Sequence, residues 1–143
     1  MADSLKTQIG GNHYLDLKLQ PIEFIVNNNL GFIEANIIKY ICRYKHKNGV
    51  EDLKKIKHYI GLAKELENRD YSKFMVVCEL QEEYTKYLIN NAQKYCKINN
   101  IPEKEKNIII KICLSICDIE NRFTIFDEIL EIVDDLIQEY NRE

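Results

Sequence analysis

The sequence has no tryptophan, only two prolines and only five glycines, which are dispersed along its 143 residues. It contains neither of the glycine-rich phosphate motifs, GxxxxGKS/T and GxGxxG. A serine-centred nucleophile elbow and an HExxH zinc motif are also missing. These absences exclude a glycine-rich loop that cradles phosphate through backbone N–H groups. A phosphate would have to be held by side chains or by helix N-termini.

Long apolar runs are lacking too, since none approaches the ~20 residues of a membrane span. The N-terminal residues show no basic-then-apolar signal pattern, so we expect a cytoplasmic protein without membrane contacts. The five cysteines form no CxxC motif, and their odd number favours reduced thiols. Cys113 and Cys117 share a helix face, where a metal pair is geometrically possible. We expect them to be small buried apolar residues instead.

Apolar residues recur with a helical period, and no convincing strand alternation appears. This pattern predicts an all-α bundle of about six helices. Asn48-Gly49 is a helix stop and Pro102 a helix start. The predicted helices span residues 22–28, 32–47, 51–67, 74–98, 102–118 and 124–140. Residues 1–70 carry a formal charge of +2 and residues 71–143 carry −5. We therefore expect the ligand-binding module in 1–70, with 71–143 as a helical extension for packing or oligomerisation.

A basic segment stands out within this acidic chain. Between Asn36 and Lys64, eight Lys or Arg residues accompany only two acids, although the whole chain has a net charge of −3. Asn36, Lys39, Arg43 and Lys47 are spaced to form one ridge on the second helix. Such a ridge is either a solvated face or a site for an anion, of which phosphate is the commonest. We expect Arg43→Ala to weaken binding of a phosphorylated ligand far more than folding, because an exposed helix arginine contributes little to stability.

Two further groups are candidates for the same site. Asp52, Lys55 and Tyr59 share a face of the third helix, where Asp52 can orient Lys55 or a ligand hydroxyl; the alternative is an ordinary capping and ion-pair face. His13-Tyr14 precedes the first helix. A histidine near an anionic pocket can donate, act as a base or stack, and the alternative is a structural histidine.

An acidic stripe lies on the last predicted helix, at Glu128, Glu131, Asp134 and Asp135. The pairs Glu79/Glu82 and Glu131/Asp134 resemble the ExxE and ExxD carboxylates of MazG-like nucleotide pyrophosphatases, which hold Mg²⁺. Here 48 residues separate the two pairs, well beyond the usual interval. We therefore expect a solvated face, with no metal unless the protein is an enzyme of that kind.

The segment from His13 to Leu66 resembles a small phage family labelled nucleotide-kinase-related or SaV-like. The family pattern runs HY, QPI(D/E)(Y/F)I, N-x-L, E-(G/A)-N-x-(I/V)-K-Y-x-x-R-Y-x-x-K-(N/G)-G and D-L-x-K-x-x-x-Y. The resemblance covers about two fifths of the chain, and Ala35 stands where the family has glycine. The matching residues are His13, Tyr14, Gln20, Pro21, Ile22, Glu23, Phe24, Ile25, Asn28, Leu30, Glu34, Asn36, Ile38, Lys39, Tyr40, Arg43, Tyr44, Lys47, Gly49, Asp52, Leu53, Lys55 and Tyr59.

The resemblance implies a phage protein that handles nucleotides. We expect it to bind a small phosphorylated nucleotide without a cofactor and to sequester a nucleotide signal made by a host antiviral system. The first alternative is a nucleoside monophosphate kinase, and the second is a Mg²⁺-dependent nucleotide pyrophosphatase. The net charge argues against a DNA- or RNA-binding module. The expected ligand-binding residues are His13, Tyr14, Asn36, Lys39, Tyr40, Arg43, Lys47, Asp52, Lys55 and Tyr59.

We also expect a homo-oligomer, because small helical proteins often build such pockets between subunits. Beside its main apolar face, the third helix offers Tyr59, Leu62 and Leu66. The second helix adds Ile38 and Cys42. This apolar width exceeds what one short bundle should need, which predicts that part of it meets another subunit.

Overall fold

The computed structural model describes residues 3–67 and 81–143, and both ranges are helical, with no strand in either. This confirms the predicted all-α bundle. Within these ranges, no helix combines the length and apolar character needed to cross a bilayer. The helices are α1 (Pro21–Asn27), α2 (Phe32–Arg43), α3 (Val50–Glu67), α4 (Gln81–Ile98), α5 (Glu103–Cys117) and α6 (Arg122–Arg142), with short 3₁₀ turns at Ser4–Lys6 and Tyr44–His46.

Pro21 and Glu23 fix the start of α1. Pro21 is the first residue of α1, where its missing N–H breaks no helical hydrogen bond. The Glu23 carboxylate accepts a hydrogen bond of 2.8 Å from the backbone N–H of Gln20. This contact satisfies a donor that the helix itself leaves free and fixes how the chain enters α1.

One continuous core joins the helices. α2 packs on α3 and α5, α3 also contacts α6, and α5 contacts both α4 and α6. The predicted face of α3 is buried in this core, as are Cys96, Cys113 and Cys117. Cys113 and Cys117 are thus small buried residues as expected, while Cys78 lies outside the described residues. The buried α3 face consists of Leu53, Ile56, Ile60 and Ala63.

The extra apolar width predicted on α2 is covered within the chain. Ile38 is fully buried, and the Cys42 sulfur lies 3.5 Å from the Tyr95 hydroxyl of α4. The sequence could not show this, because Tyr95 is 53 residues away from Cys42. Those two positions therefore need no second subunit to cover them.

The predicted end of the second helix at Lys47 is wrong. α2 ends at Arg43, and the chain tightens into the 3₁₀ turn Tyr44–His46. Gly49, with φ +55°, then donates its N–H to the Tyr44 carbonyl at 2.8 Å. Because a 3₁₀ turn has fewer residues per turn than an α-helix, Lys47 leaves the line of Asn36, Lys39 and Arg43.

Gly49 offers a direct test of this helix end. Gly49→Ala should lower the free energy of unfolding by about 1–3 kcal/mol, because φ is positive there and a Cβ would lie 2.7 Å from the Tyr140 ring. Gly61→Ala is the matched control within α3, where a Cβ would meet nothing within 4 Å. It should raise stability by up to about 1 kcal/mol. Urea denaturation measures both, and equal shifts in the same direction would contradict the assignment.

Candidate functional site

The Tyr40 ring is surrounded by three cationic side chains. Lys39 Nζ lies 4.5 Å from the ring centroid, Arg43 Cζ 4.8 Å and Lys55 Nζ 5.3 Å. We call Lys39, Arg43 and Lys55 the cation cluster. Cations near an aromatic face are attracted by its negative potential, which helps three positive charges share a small volume.

The carboxylate of Asp52 holds the cluster in place from α3. Its side chain is fully buried, with an exposed fraction of 0%. Arg43 donates to it from Nε at 2.9 Å and from a terminal nitrogen at 3.2 Å. Lys55 and Asn48 each donate at 3.3 Å. Asp52 thus fixes Arg43 through a two-pronged contact. Glu51 also pairs with Lys55 at 3.1 Å, so two negative charges face three positive ones and the cluster stays net positive.

Lys39 is the least neutralised member. Its ammonium donates to Asn36 Oδ1 at 2.8 Å, and Asn36 donates from Nδ2 to the Phe32 carbonyl at 2.8 Å. Among the ion pairs of residues 3–67 and 81–143, none involves Lys39. Its charge is therefore available to an incoming anion.

An aromatic row continues from the cluster towards solvent. Tyr59 stacks on Tyr40 with ring centroids 6.0 Å apart, and Phe32 meets Tyr59 edge-on at 6.0 Å. The Phe32 side chain is 74% exposed. Sequence reasoning missed Phe32, because one aromatic residue at a helix start gives no signal that distinguishes a surface platform from a core residue.

His13 and Tyr14 lie beside Arg43, with their own rings 4.2 Å apart. Burial raises the pKa of Tyr14, although nearby Arg43 opposes the rise. The Tyr14 hydroxyl is buried, and none of the described residues forms a hydrogen bond of good geometry with it. Burial also lowers the pKa of His13, and the charges of Lys47 and Arg43 add to that effect. Lys47 therefore belongs to the His13 side of the site.

Gln8 holds this segment in place, a role that could not be predicted from the sequence. Its Oε1 accepts a hydrogen bond of 2.9 Å from the Tyr14 backbone N–H, and its Nε2 lies 3.0 Å from His13 Nδ1. The local spacing of Gln8 matches no known motif, so only the folded chain shows the contact.

Two cavities flank the His13-Tyr14 segment. The larger, about 700 Å³, includes His13, Lys45 and Lys47, but Glu105 also lines it and pairs with Lys45 at 2.8 Å. The smaller, about 170 Å³, is lined by Tyr14, Asn36 and Lys39 together with apolar side chains of α1 and α2. We place the site at the smaller cavity and the cation cluster, where positive charge is less neutralised. Eight of the ten predicted residues line this cavity, belong to the cation cluster, or contact the cluster or Tyr40, whereas His13 and Lys47 line the larger cavity.

The acidic stripe of α6 has lysine partners. Asp134 pairs with Lys57 at 2.5 Å and Glu128 with Lys111 at 2.5 Å, while Lys104 Nζ lies 3.8 Å from Asp135. These carboxylates are largely exposed, in agreement with a solvated face. Glu79, one half of the proposed ExxE pair, lies outside the described residues. In the part of the chain that is described, no three His, Cys, Asp or Glu side chains are grouped to hold a metal.

The Asp52 contacts predict a specific pH dependence. Burial alone would raise the pKa of Asp52, but hydrogen bonds from Arg43 and Asn48 outweigh it and hold the pKa below the ordinary 3.8. A carboxyl with a lowered folded-state pKa stabilises the protein above its unfolded-state pKa, and this stabilisation disappears as the pH falls through the folded-state pKa. Asp52→Asn should therefore be less stable than the wild type at neutral pH, with the gap narrowing below about pH 4. Urea titrations at several pH values measure this gap, and a constant gap would contradict the assignment.

Residues 9–61 match a family model described as a protein of unknown function, DUF3310. No curated protein and no solved structure matches the chain. The matched segment contains α1, α2 and most of α3, and all ten predicted ligand-binding residues fall within it. The family match and the cation cluster therefore occupy the same part of the fold.

Proposed function

We propose that this protein binds a small phosphorylated nucleotide, with a phosphate group held by the cation cluster. The observation that carries the proposal is that Lys39, Arg43 and Lys55 surround one tyrosine ring while only two acids, the buried Asp52 and the exposed Glu51, pair with them among the described residues. Charge-assisted hydrogen bonds to phosphate are among the strongest polar contacts available to such side chains. Arg43 is already held in one orientation by Asp52, so little side-chain entropy is lost when it meets a ligand.

The biological role that we propose is sequestration of a host nucleotide immune signal, in the host cytoplasm. It is supported by the resemblance of His13–Leu66 to a phage nucleotide-related family. Sequestration requires affinity without chemistry, and the cation cluster provides positive charge and hydrogen-bond donors. We further propose a homo-oligomer, because Leu66, on the second apolar face of α3, is 53% exposed.

A ligand screen tests the proposal. The purified protein is incubated with a panel of nucleotides and nucleotide signals, and both retained and released species are identified by mass spectrometry. We expect one phosphorylated nucleotide to be retained and returned intact after denaturation. Recovery of a converted product would favour the kinase or pyrophosphatase alternative, and no retention of any member would contradict the proposal. Sedimentation of the same complex should give a mass above that of one chain.

The acidic pair on α6 separates binding from the pyrophosphatase alternative. Glu131→Ala combined with Asp134→Ala should leave nucleotide affinity within about twofold of the wild type, because these carboxylates would repel phosphate unless Mg²⁺ lay between them. Asp134 faces Lys57, which belongs to α3 but not to the cation cluster. Titration calorimetry with and without Mg²⁺ measures the effect. A Mg²⁺-dependent nucleotide hydrolysis that disappears in the double variant would instead support the enzyme alternative.

A further inference from the structure

The small cavity beside the cation cluster is lined by both apolar and polar residues. Its volume is about 170 Å³, and it opens between the start of α1 and the first half of α2. Five of its eight lining residues are apolar or aromatic, and the other three, Gln20, Asn36 and Lys39, are polar. The complete lining is Tyr14, Gln20, Pro21, Ile22, Ile25, Ala35, Asn36 and Lys39.

Lys39 belongs to both the cavity and the cation cluster. It lines the cavity, and its ammonium also lies 4.5 Å from the centroid of the Tyr40 ring. A ligand whose phosphate contacts Lys39 can therefore place an attached group in the cavity. The cavity and the cluster are neighbouring halves of one site that has one apolar half and one positive half.

Asn36 has hydrogen-bonding capacity left over. Since lysine can only donate, the Asn36 oxygen faces Lys39 and the amide nitrogen faces the Phe32 carbonyl. An amide has two N–H donors and an oxygen with two lone pairs, so one donor and one lone pair have no partner among residues 3–67 and 81–143. This combination matches the N7 acceptor and the N6 amino donor of adenine, the pair that asparagine recognises in nucleic acids.

We propose that this cavity is a nucleobase pocket that takes the adenine of an adenosine phosphate whose phosphate group lies on the cation cluster. This inference rests on the proposed function and narrows its ligand class. The faces of the base are covered by Pro21, Ile22, Ala35 and the Tyr14 ring, and Asn36 forms hydrogen bonds with its edge. A purely aliphatic ligand would contact the apolar lining but would form no hydrogen bond with the remaining donor and lone pair of Asn36.

Ile22 and Val26 provide a matched pair for the test. Both are on α1, and their side chains are 51% and 62% exposed, but only Ile22 lines the cavity. Binding of adenosine monophosphate and of ribose 5-phosphate is measured by titration calorimetry on the wild type and on each variant. Adenosine monophosphate should bind the wild type at least about tenfold more tightly than ribose 5-phosphate does, because the base buries apolar surface. Ile22→Ala should remove most of that difference, whereas Val26→Ala should leave it within about twofold.

Guanosine and cytidine monophosphates complete the comparison, and both should bind more weakly than the adenine nucleotide. Equal binding of ribose 5-phosphate and the three nucleotides would overturn the base pocket while leaving the phosphate site intact. Identical effects of Ile22→Ala and Val26→Ala would overturn it as well. Failure of all these ligands and of inorganic pyrophosphate to bind the wild type would overturn both the pocket and the proposed function.

Discussion

Replacing Arg43 with alanine should lower the free energy of unfolding by about 3 kcal/mol, because it leaves the buried Asp52 carboxylate without its main partner. The Arg43 side chain is only 13% exposed and donates two hydrogen bonds to Asp52. The expected loss is at the low end for a broken buried pair, since Asn48 and Lys55 still contact the carboxylate. This reverses the expectation from the sequence, where Arg43 was treated as an exposed residue whose loss would affect binding far more than folding.

A double variant separates the contribution of Arg43 to folding from its contribution to binding. Arg43→Met combined with Asp52→Leu removes both charges and should recover most of the lost stability, because no unpaired ion remains in the interior. The same double variant should still bind nucleotide poorly. Lys47→Ala is the control, since Lys47 is exposed, and it should change stability by less than ~0.5 kcal/mol. Chemical denaturation measures all three, and an Arg43→Ala variant as stable as the control would contradict the role of the buried pair.

Lys39→Met should weaken nucleotide binding by about 1.5–3 kcal/mol, or roughly ten- to a hundredfold in the dissociation constant, with little effect on folding. Methionine keeps an unbranched apolar chain beside Tyr40 but removes the ammonium, so the change isolates the charge. Because Lys39 pairs with no acid among residues 3–67 and 81–143 and donates to the neutral Asn36, its removal leaves no buried ion behind in that part of the chain. Fluorescence or calorimetric titration with the nucleotide found in the screen measures the loss.

The matched control is Lys57→Met, which removes a lysine from α3 at a similar level of exposure. Lys57 pairs with Asp134 of α6 and does not contact Tyr40. Its replacement should leave the dissociation constant within about twofold of the wild type, and surface ion pairs of this kind contribute little to stability. A comparable loss of affinity in both variants would mean that binding depends only on overall charge. The binding losses should also shrink as salt is added if they are electrostatic.

The helices could be predicted from the sequence because each carries a clear apolar period. Leu53, Ile56, Ile60 and Ala63 line one face of α3 and are all buried. Asn48-Gly49 was correctly identified as a stop, although the last turn before it is a 3₁₀ turn. Periodicity is a property of a short window, so it describes local elements well and cannot show how the last turn tightens.

Only some of the residues and contacts of the site could be predicted from the sequence. The spacing of Asn36, Lys39 and Arg43 put them on one face, and the structure agrees. The full burial of Asp52 could not be predicted, because it depends on the packing of α3 against α2. Ile22 and Ala35 were overlooked as cavity residues, since an apolar side chain gives the same local pattern in a pocket wall as in a core.

Contacts between distant segments were beyond prediction from the sequence alone. Arg122 of α6 donates to Glu34 of α2 at 2.7 Å, and its guanidinium lies 3.0 Å from a Glu67 oxygen at the end of α3. Arg122 and Glu34 are 88 residues apart, and neither has a distinctive neighbourhood in the sequence. This charge group ties α2 and α3, which carry the cation cluster, to α6.

The location of the ligand is best measured by NMR on protein with labelled tyrosine rings, of which there are nine. Single Tyr→Phe variants assign the signals, and the nucleotide from the screen is then titrated into the wild type. Tyr40 is surrounded by the cation cluster and Tyr59 stacks on it, whereas Tyr87 is an exposed residue of α4. The proposed site predicts large shifts for Tyr40, Tyr59 and Tyr14, with Tyr87 unchanged. Shifts at Tyr87 without any change at Tyr40 would contradict it.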